Sequence, residues 1–150
     1  MSHVAGLIFW LAAALLAQGV LIAARRGDEA RQLAARRRVR SVVLVEHIAF
    51  VVALAAGVGL LGHRHWGLGH ARWLAVKIGL TVFLLVPLEA MHAWIAHGWI
   101  ARGLRQTDAP PFSKDLVRGI GMDDMLRALA APLLAASVPL LAWLSLRKPW

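Results

Sequence analysis

Four apolar stretches, each of ~20 residues or more, constrain the fold of this 150-residue chain more than any other feature. A helix rises 1.5 Å per residue, so ~20 apolar residues cross ~30 Å of hydrocarbon. Hydrophobic residues make up 59% of the sequence and charged residues only 17%, which is typical of an integral membrane protein. The sequence predicts one all-α domain, residues 1–150, an antiparallel bundle of four transmembrane helices at about 4–24, 42–61, 73–100 and 126–146.

The basic residues are concentrated in two of the connections between these stretches. Residues 25–40 hold seven arginines and residues 102–127 hold five lysines or arginines, twelve in all. Only four others flank the apolar stretches, at Arg64, Arg72 and residues 147–148. By the positive-inside rule, both termini are expected on the extracytoplasmic side of a bacterial inner membrane. The loop arginines then face anionic lipid, which explains the pI of about 11.8 without a nucleic-acid partner.

The chain has no cysteine. Disulfides, thiolate metal sites, c-type haem attachment and iron–sulfur clusters are therefore excluded. Any metal ligand has to be a histidine, a carboxylate or a methionine.

The third apolar stretch carries four ionisable residues, Lys77, Glu89, His92 and His97. A charge in hydrocarbon costs on the order of 3 kcal/mol, so such a side chain normally faces a partner, a cofactor or water. Lys77 and His97 lie near the two ends of the stretch and are expected to snorkel towards the interfaces. Glu89 and His92 are one turn apart on one helix face, so they are the first candidates for a functional site.

Polar residues of the first two helices are expected at the same depth. Glu46 and His47 lie just inside the second helix, and Gln18 lies in the corresponding half of the first. The number of residues that separates each of these three from the nearest arginine-rich connection places them at about the same depth in the membrane as Glu89 and His92. The sequence therefore predicts a polar cluster inside the bundle, either a ligand site or a set of interhelical contacts.

Histidines also occur in the connection between the second and third helices. His63, His65 and His70 lie in a glycine-rich stretch without acidic residues. They are interpreted as a hydrated turn or, alternatively, as a copper-binding segment.

The fourth apolar stretch is expected to form a packing wall. It contains Pro132 and Pro139, which remove backbone hydrogen bonds and can kink a helix. Asp123 and Asp124 are expected to cap its start, after a short amphipathic segment on the membrane surface.

The layout resembles the small bacterial four-helix membrane proteins that include the HemJ-type protoporphyrinogen oxidase and the CopD-like copper-resistance domain. The matching features are an arginine-rich first loop, the run 73–77 (WLAVK), a histidine late in the third helix and the closing residues 147–150 (RKPW). The resemblance implies haem b binding and an oxidoreductase activity that depends on a histidine in the first helix and a lysine in the third. Lys77 matches that lysine, whereas the first helix has no histidine after His3.

Haem b is the first functional hypothesis, with His47 and His92 as axial ligands from neighbouring helices. Arg40 and Arg102 would pair with the propionates, and the protein would serve electron transfer or porphyrin chemistry with a redox partner. Lys77 lies fifteen residues from His92, or ~22 Å along a helix, and is not expected at the same ion.

Two alternatives stay open. Glu46, His47, Glu89 and His92 could hold a bare metal ion, or the three histidines of the second connection could capture copper. The chain could instead be an accessory subunit of a larger membrane complex, or a homo-oligomer, whose polar cluster only holds helices together.

Overall fold

Four long helices make up this protein, and a computed structural model describes them over residues 2–64, 72–109 and 111–147. These described ranges contain helices and no strands. The helices are Ser2–Ala24, Glu29–Arg64, Arg72–Gln106 and Lys114–Arg147. All four are long and apolar enough to cross a membrane, so the all-α, multi-pass prediction agrees with the structure.

The third helix is not regular along its length. It comprises the α-helical segments Arg72–Leu80, Val86–Trp94 and Ala101–Gln106, separated by π-helical turns at Thr81–Leu85 and Ile95–Ile100. Pro87 follows the first π turn and lacks the N–H that a regular helix requires there, which favours the wider turn. Because π turns rotate the residues that follow them, the two turns set the face presented by the segment between them.

The second helix begins much earlier than predicted, at Glu29 instead of residue 42. Residues 29–40 are rich in Ala, Arg, Leu and Gln, all strong helix formers, and they continue the helix beyond the apolar stretch. Asp28 caps this start, because its Oδ1 accepts a hydrogen bond from the Arg31 N–H at 2.8 Å. Leu33 and Val39 are buried, so the extension packs against the rest of the protein.

The fourth helix begins at Lys114, and the prediction that Asp123 and Asp124 cap it is wrong. Ser113 is the residue in the capping position, since its Oγ accepts a hydrogen bond from the Leu116 N–H at 3.3 Å. Leu116 is fully buried and anchors the first turns of this helix. Hydropathy alone placed the start too late because these turns carry charges on their other faces.

Neighbouring helices run in opposite directions. Gly6 of the first helix lies against Ala53 of the second, and Trp10 packs on Phe50 with ring centroids 5.4 Å apart. A Cβ at Gly6 would come within 3.0–3.1 Å of Ala53, so glycine permits this close approach.

The third and fourth helices show the same antiparallel order. Gly103 faces Leu116, while Trp73 and Leu74 cluster with Leu144. A Cβ at Gly103 would lie 2.6 Å from the Leu116 backbone, so no larger residue fits there without a shift.

The bundle has two chemically different halves. The polar half lies at the end of the bundle where residues 24, 29, 106 and 114 end or begin their helices. It contains the buried charged residues Arg36, Glu46, His92 and Asp123. The apolar half, towards residues 2, 64, 72 and 147, has a core of Trp73, Leu74 and Leu144. Large apolar side chains are exposed on the outside of the bundle, for example Phe9, Phe83 and Met125. A bilayer would cover such a surface.

Candidate metal centre

Two neighbouring helices bring His47, Glu89 and His92 together in the polar half. His47 comes from the second helix, and the other two come from the third-helix segment between the π turns. One ligand atom from each residue lies within 4.8 Å of the others. The His47 and His92 ring centroids are 5.0 Å apart, and the ring planes are tilted by 56° to each other.

Two atoms of this cluster have no hydrogen bond. His47 Nε2 lies 3.6 Å from Glu89 Oε2, which is too long for one. Both atoms are buried, and neither has a hydrogen-bond partner among the described residues. An unsatisfied buried polar atom costs about 1–3 kcal/mol. A shared proton, a water or an ion between the two atoms would satisfy both of them.

The other atoms of these two side chains are held in place. Glu89 Oε1 accepts a hydrogen bond from the Trp10 indole N–H at 2.6 Å. His47 Nδ1 lies 3.1 Å from His97 Nε2. When His47 carries its proton on Nδ1 and donates to His97, the Nε2 lone pair is free on the Glu89 side. His97 is exposed but contacts the cluster, so it does more than snorkel.

His92 lies between an acid and a guanidinium. Its Nε2 is 3.0 Å from an Arg127 terminal nitrogen, which can only donate, so Nε2 accepts in this arrangement. Its Nδ1 lies 3.5 Å from Glu46 Oε1. Glu46 is only 4% exposed, and its Oε2 has no hydrogen-bond partner within the described ranges.

Arg127 connects the first, third and fourth helices. It donates from Nε to Asp123 Oδ1 at 3.0 Å and from Nη1 to Gln18 Oε1 at 2.7 Å. Asp123 is 1% exposed and also accepts from Arg36 of the second helix at 3.4 Å. The buried charges thus occur as a connected network rather than as isolated groups.

Three residues of this site were absent from the sequence prediction: Trp10, Asp123 and Arg127. The fourth helix was expected to act as a packing wall, yet Arg127 reaches His92 from it. A signal existed, because Asp123 and Arg127 are four residues apart and share a helix face. Trp10 gave no signal, since nothing in the sequence of the first helix indicates which partner its N–H finds.

Other predicted residues lie apart from the cluster. Lys77 packs over the Trp73 ring at 5.6 Å, in the apolar half. Arg102 lies over the Trp99 ring at 5.7 Å. Arg40 is closer to the cluster, because it lines a small cavity of about 30 Å³ beside His97.

Of the three histidines in the second connection, His63 is exposed at the end of the second helix. His65 and His70 lie outside the described residues. The structure therefore leaves the copper hypothesis for this segment as a prediction.

A larger cavity of about 480 Å³ lies beside the cluster, between the first, third and fourth helices. Its walls are mostly apolar. Five polar residues meet at one end of it: Gln18, Glu46, Glu89, His92 and Arg127. The candidate site thus has three possible metal ligands on one side and a ligand-sized space on the other.

Comparison of the chain with protein-family models, with curated proteins and with solved structures gave no match.

Proposed function

We propose that this chain is a multi-pass membrane protein that binds a divalent first-row transition-metal ion inside the bundle, with His47, Glu89 and His92 as ligands. The observation that carries the proposal is the approach of three ligand atoms to within 4.8 Å. Two atoms of the cluster, His47 Nε2 and Glu89 Oε2, also have no hydrogen-bond partner among the described residues.

The spacing suits such an ion. Metal–ligand distances of about 2.1 Å place neighbouring tetrahedral ligands about 3.4 Å apart. His47 Nε2 and Glu89 Oε2 are 3.6 Å apart, so an ion between them requires only a small contraction. His92 completes the set by releasing its contact with Arg127 or with Glu46 to the ion.

The donor set and the charge also favour a metal. Two imidazoles and one carboxylate are a ligand set used by non-haem iron(II) and by catalytic zinc, and they suit copper(II) as well. Asp123 pairs with the guanidiniums of Arg36 and Arg127. Glu46 and Glu89 instead lie beside the imidazoles of His92 and His47, and two carboxylates at the ligand cluster favour a cation there.

Neighbouring side chains support the ligands. His97 contacts the far nitrogen of His47, and Trp10 fixes one oxygen of Glu89. Asp123 lies 3.6 Å from His92 Nε2, so a small shift would let Asp123 accept a hydrogen bond from that N–H when His92 binds through Nδ1. Partners of this kind orient metal-bound side chains.

Titration with Co²⁺ tests the proposal. The protein is purified in detergent, stripped with a chelator and titrated while the visible absorption of bound Co²⁺ is recorded. We expect one ion per chain. We expect His47→Ala to abolish this binding and Glu89→Gln to weaken it at least tenfold.

His63→Ala is the matched control, because it is the same substitution at an exposed position of the same helix. It should leave Co²⁺ binding at the proposed centre unchanged, whereas a loss of binding in this variant would favour the histidines of the second connection as the metal site. Circular dichroism checks that each variant folds, and His47→Gln replaces His47→Ala if the smaller side chain destabilises the helix. Unchanged Co²⁺ affinity in folded His47 variants would rule out this centre.

Haem b is a second candidate, favoured by the proximity of the His47 and His92 imidazoles on neighbouring helices. Their rings would have to move further apart than 5.0 Å, because the iron and the macrocycle lie between them. Arg40 and Arg102 would then pair with the propionates, and the function would be electron transfer. A Soret band in the purified protein that is lost in both His47→Ala and His92→Ala would favour haem over a bare ion.

We also propose that both termini face outward from a bacterial inner membrane, because the basic residues are concentrated at 25–40 and 102–127. The chain has no cysteine, so a single cysteine at Gln32 can be labelled selectively. An impermeant reagent should reach it only after the cells are broken. Labelling in intact cells would show that the protein has the opposite orientation in the membrane.

A further inference from the structure

The cavity of about 480 Å³ is open to the surface that the bilayer covers. Leu15 and Pro139 line it and are themselves exposed, whereas Leu85 forms its buried wall. Most of its other lining residues are alanine, leucine or valine. A ligand of this cavity therefore enters from the hydrocarbon phase and is largely apolar.

The polar end of the cavity offers an acceptor that the protein does not use. Glu46 lines the cavity, is 4% exposed, and its Oε2 has no hydrogen-bond partner in the described part of the chain. The Gln18 side chain lies at the same end. Glu46 Oε2 is itself buried, so a rotation of the carboxylate would bring it to a ligand hydroxyl, which would satisfy it by donating a hydrogen bond.

The head of this ligand is expected to be neutral. Every nitrogen of the Arg127 guanidinium already contacts the protein, at Asp123, Gln18 or His92. Arg127 is therefore already engaged by three protein groups, and the carboxylate of Asp123 offsets its charge. The carboxylates of Glu46 and Glu89 would repel a phosphate or a fatty-acid carboxylate.

The size of the cavity further limits the class of ligand that it can hold. At ~30 Å³ for a water-sized group, about 480 Å³ holds ~16 such groups. This is enough for one substituted ring and the first part of a tail, but not for the two acyl chains of a glycerolipid. The Trp10 indole forms part of the wall and gives a ring an aromatic neighbour.

We propose that the cavity binds a quinol, the hydroxyl-bearing form of a lipid-soluble quinone, with one hydroxyl donating to Glu46 Oε2. Glu46 is not one of the three proposed metal ligands. The quinol site can therefore exist with or without the metal centre, and the two proposals can fail separately.

Equilibrium binding of decylubiquinol to the detergent-purified, chelator-treated protein tests this site. Bound ligand is measured by chromatography after immobilised protein is washed. We expect saturable binding of one quinol per chain, and weaker binding of decylubiquinone by about tenfold or more, because a quinone cannot donate to Glu46. In Glu46→Leu this preference for the reduced form should disappear.

Ala14→Phe is designed to fill the cavity, since Ala14 lines it. Ala12→Phe is the matched control, the same substitution at an exposed position of the same helix outside the cavity. The first should abolish quinol binding and the second should leave it intact. If Ala14→Phe does not fold, the proposal is tested by the ratio of quinol to quinone affinity, compared between the wild type and Glu46→Leu.

Three results would overturn the proposal. The first is uptake that does not saturate, as expected for partition into detergent. The second is equal binding of quinol and quinone by the wild-type protein. The third is displacement of the quinol by an equal concentration of dioleoylglycerol, which would show a cavity that accepts any neutral lipid.

Discussion

The two halves of the bundle are held together by different physical means. In the polar half, Asp123 contacts Arg36, Arg127 and His92, so three helices meet at one carboxylate. In the apolar half, Trp73, Leu74 and Leu144 form a cluster of buried apolar side chains. Directional contacts define which residues meet, whereas apolar packing in a membrane requires only that surfaces fit.

The difference explains where a functional site can form. Charged side chains in hydrocarbon need partners, so the polar half fixes the register of the helices and leaves ligand atoms such as His47 Nε2 and Glu89 Oε2 facing each other. The apolar half allows close approach, as at Gly6 and Ala53, but it brings no buried charged residue of the described chain together.

The largest expected effect tests the polar half directly. Asp123→Asn removes the charge that offsets Arg36 and Arg127, both of which lie in the interior. Breaking a buried ion pair on one side costs about 3–5 kcal/mol. The free energy of unfolding in a detergent-denaturant titration, followed by circular dichroism, should fall by about that amount.

Asp108→Asn is its control, because Asp108 is fully exposed and contacts Arg37 only at the surface. Its unfolding curve should coincide with that of the wild type. Equal curves for Asp108→Asn and Asp123→Asn would mean that the polar network does not stabilise this half.

An intermediate effect is expected at the boundary between the halves. Trp10→Phe keeps the aromatic packing on Phe50 but removes the N–H that donates to Glu89. The Glu89 carboxylate then loses its hydrogen bond, which costs about 1–3 kcal/mol. A double-mutant cycle with Glu89→Leu, which removes the acceptor, measures the coupling, and additive effects would show that this hydrogen bond does not contribute.

The smallest effect is expected in the apolar half. Gly6→Ala places a Cβ within 3.0–3.1 Å of Ala53 and should cost about 1 kcal/mol, because the two helices must separate slightly. Gly59→Ala, where a Cβ meets nothing within 4 Å, should be neutral or slightly stabilising. If Gly6→Ala lowered the free energy of unfolding as much as Asp123→Asn does, the two halves would not differ in what stabilises them.

The sequence by itself determined the all-α fold class and the segments that are long and apolar enough to cross a membrane. Long apolar stretches rich in leucine and alanine have few alternatives to the α-helix in a bilayer, because the helix satisfies the hydrogen bonds of every backbone polar group within the segment. It also identified Gln18, Glu46, His47, Glu89 and His92 as one polar level, and the structure brings these side chains into one network. Their role in binding stays a prediction.

Only the tertiary structure decided which polar groups touch. Arg127 reaches His92 because the fourth helix starts at Lys114 and carries Asp123 inside it, and the hydropathy pattern did not predict this extension. The π turns on either side of Glu89 and His92 rotate these residues, and no periodicity in the sequence encodes that rotation. Contacts between residues such as Trp10 and Glu89, seventy-nine positions apart, depend on the rotation and register of whole helices. Apolar composition leaves both undetermined, because it is satisfied by many arrangements of the same four helices.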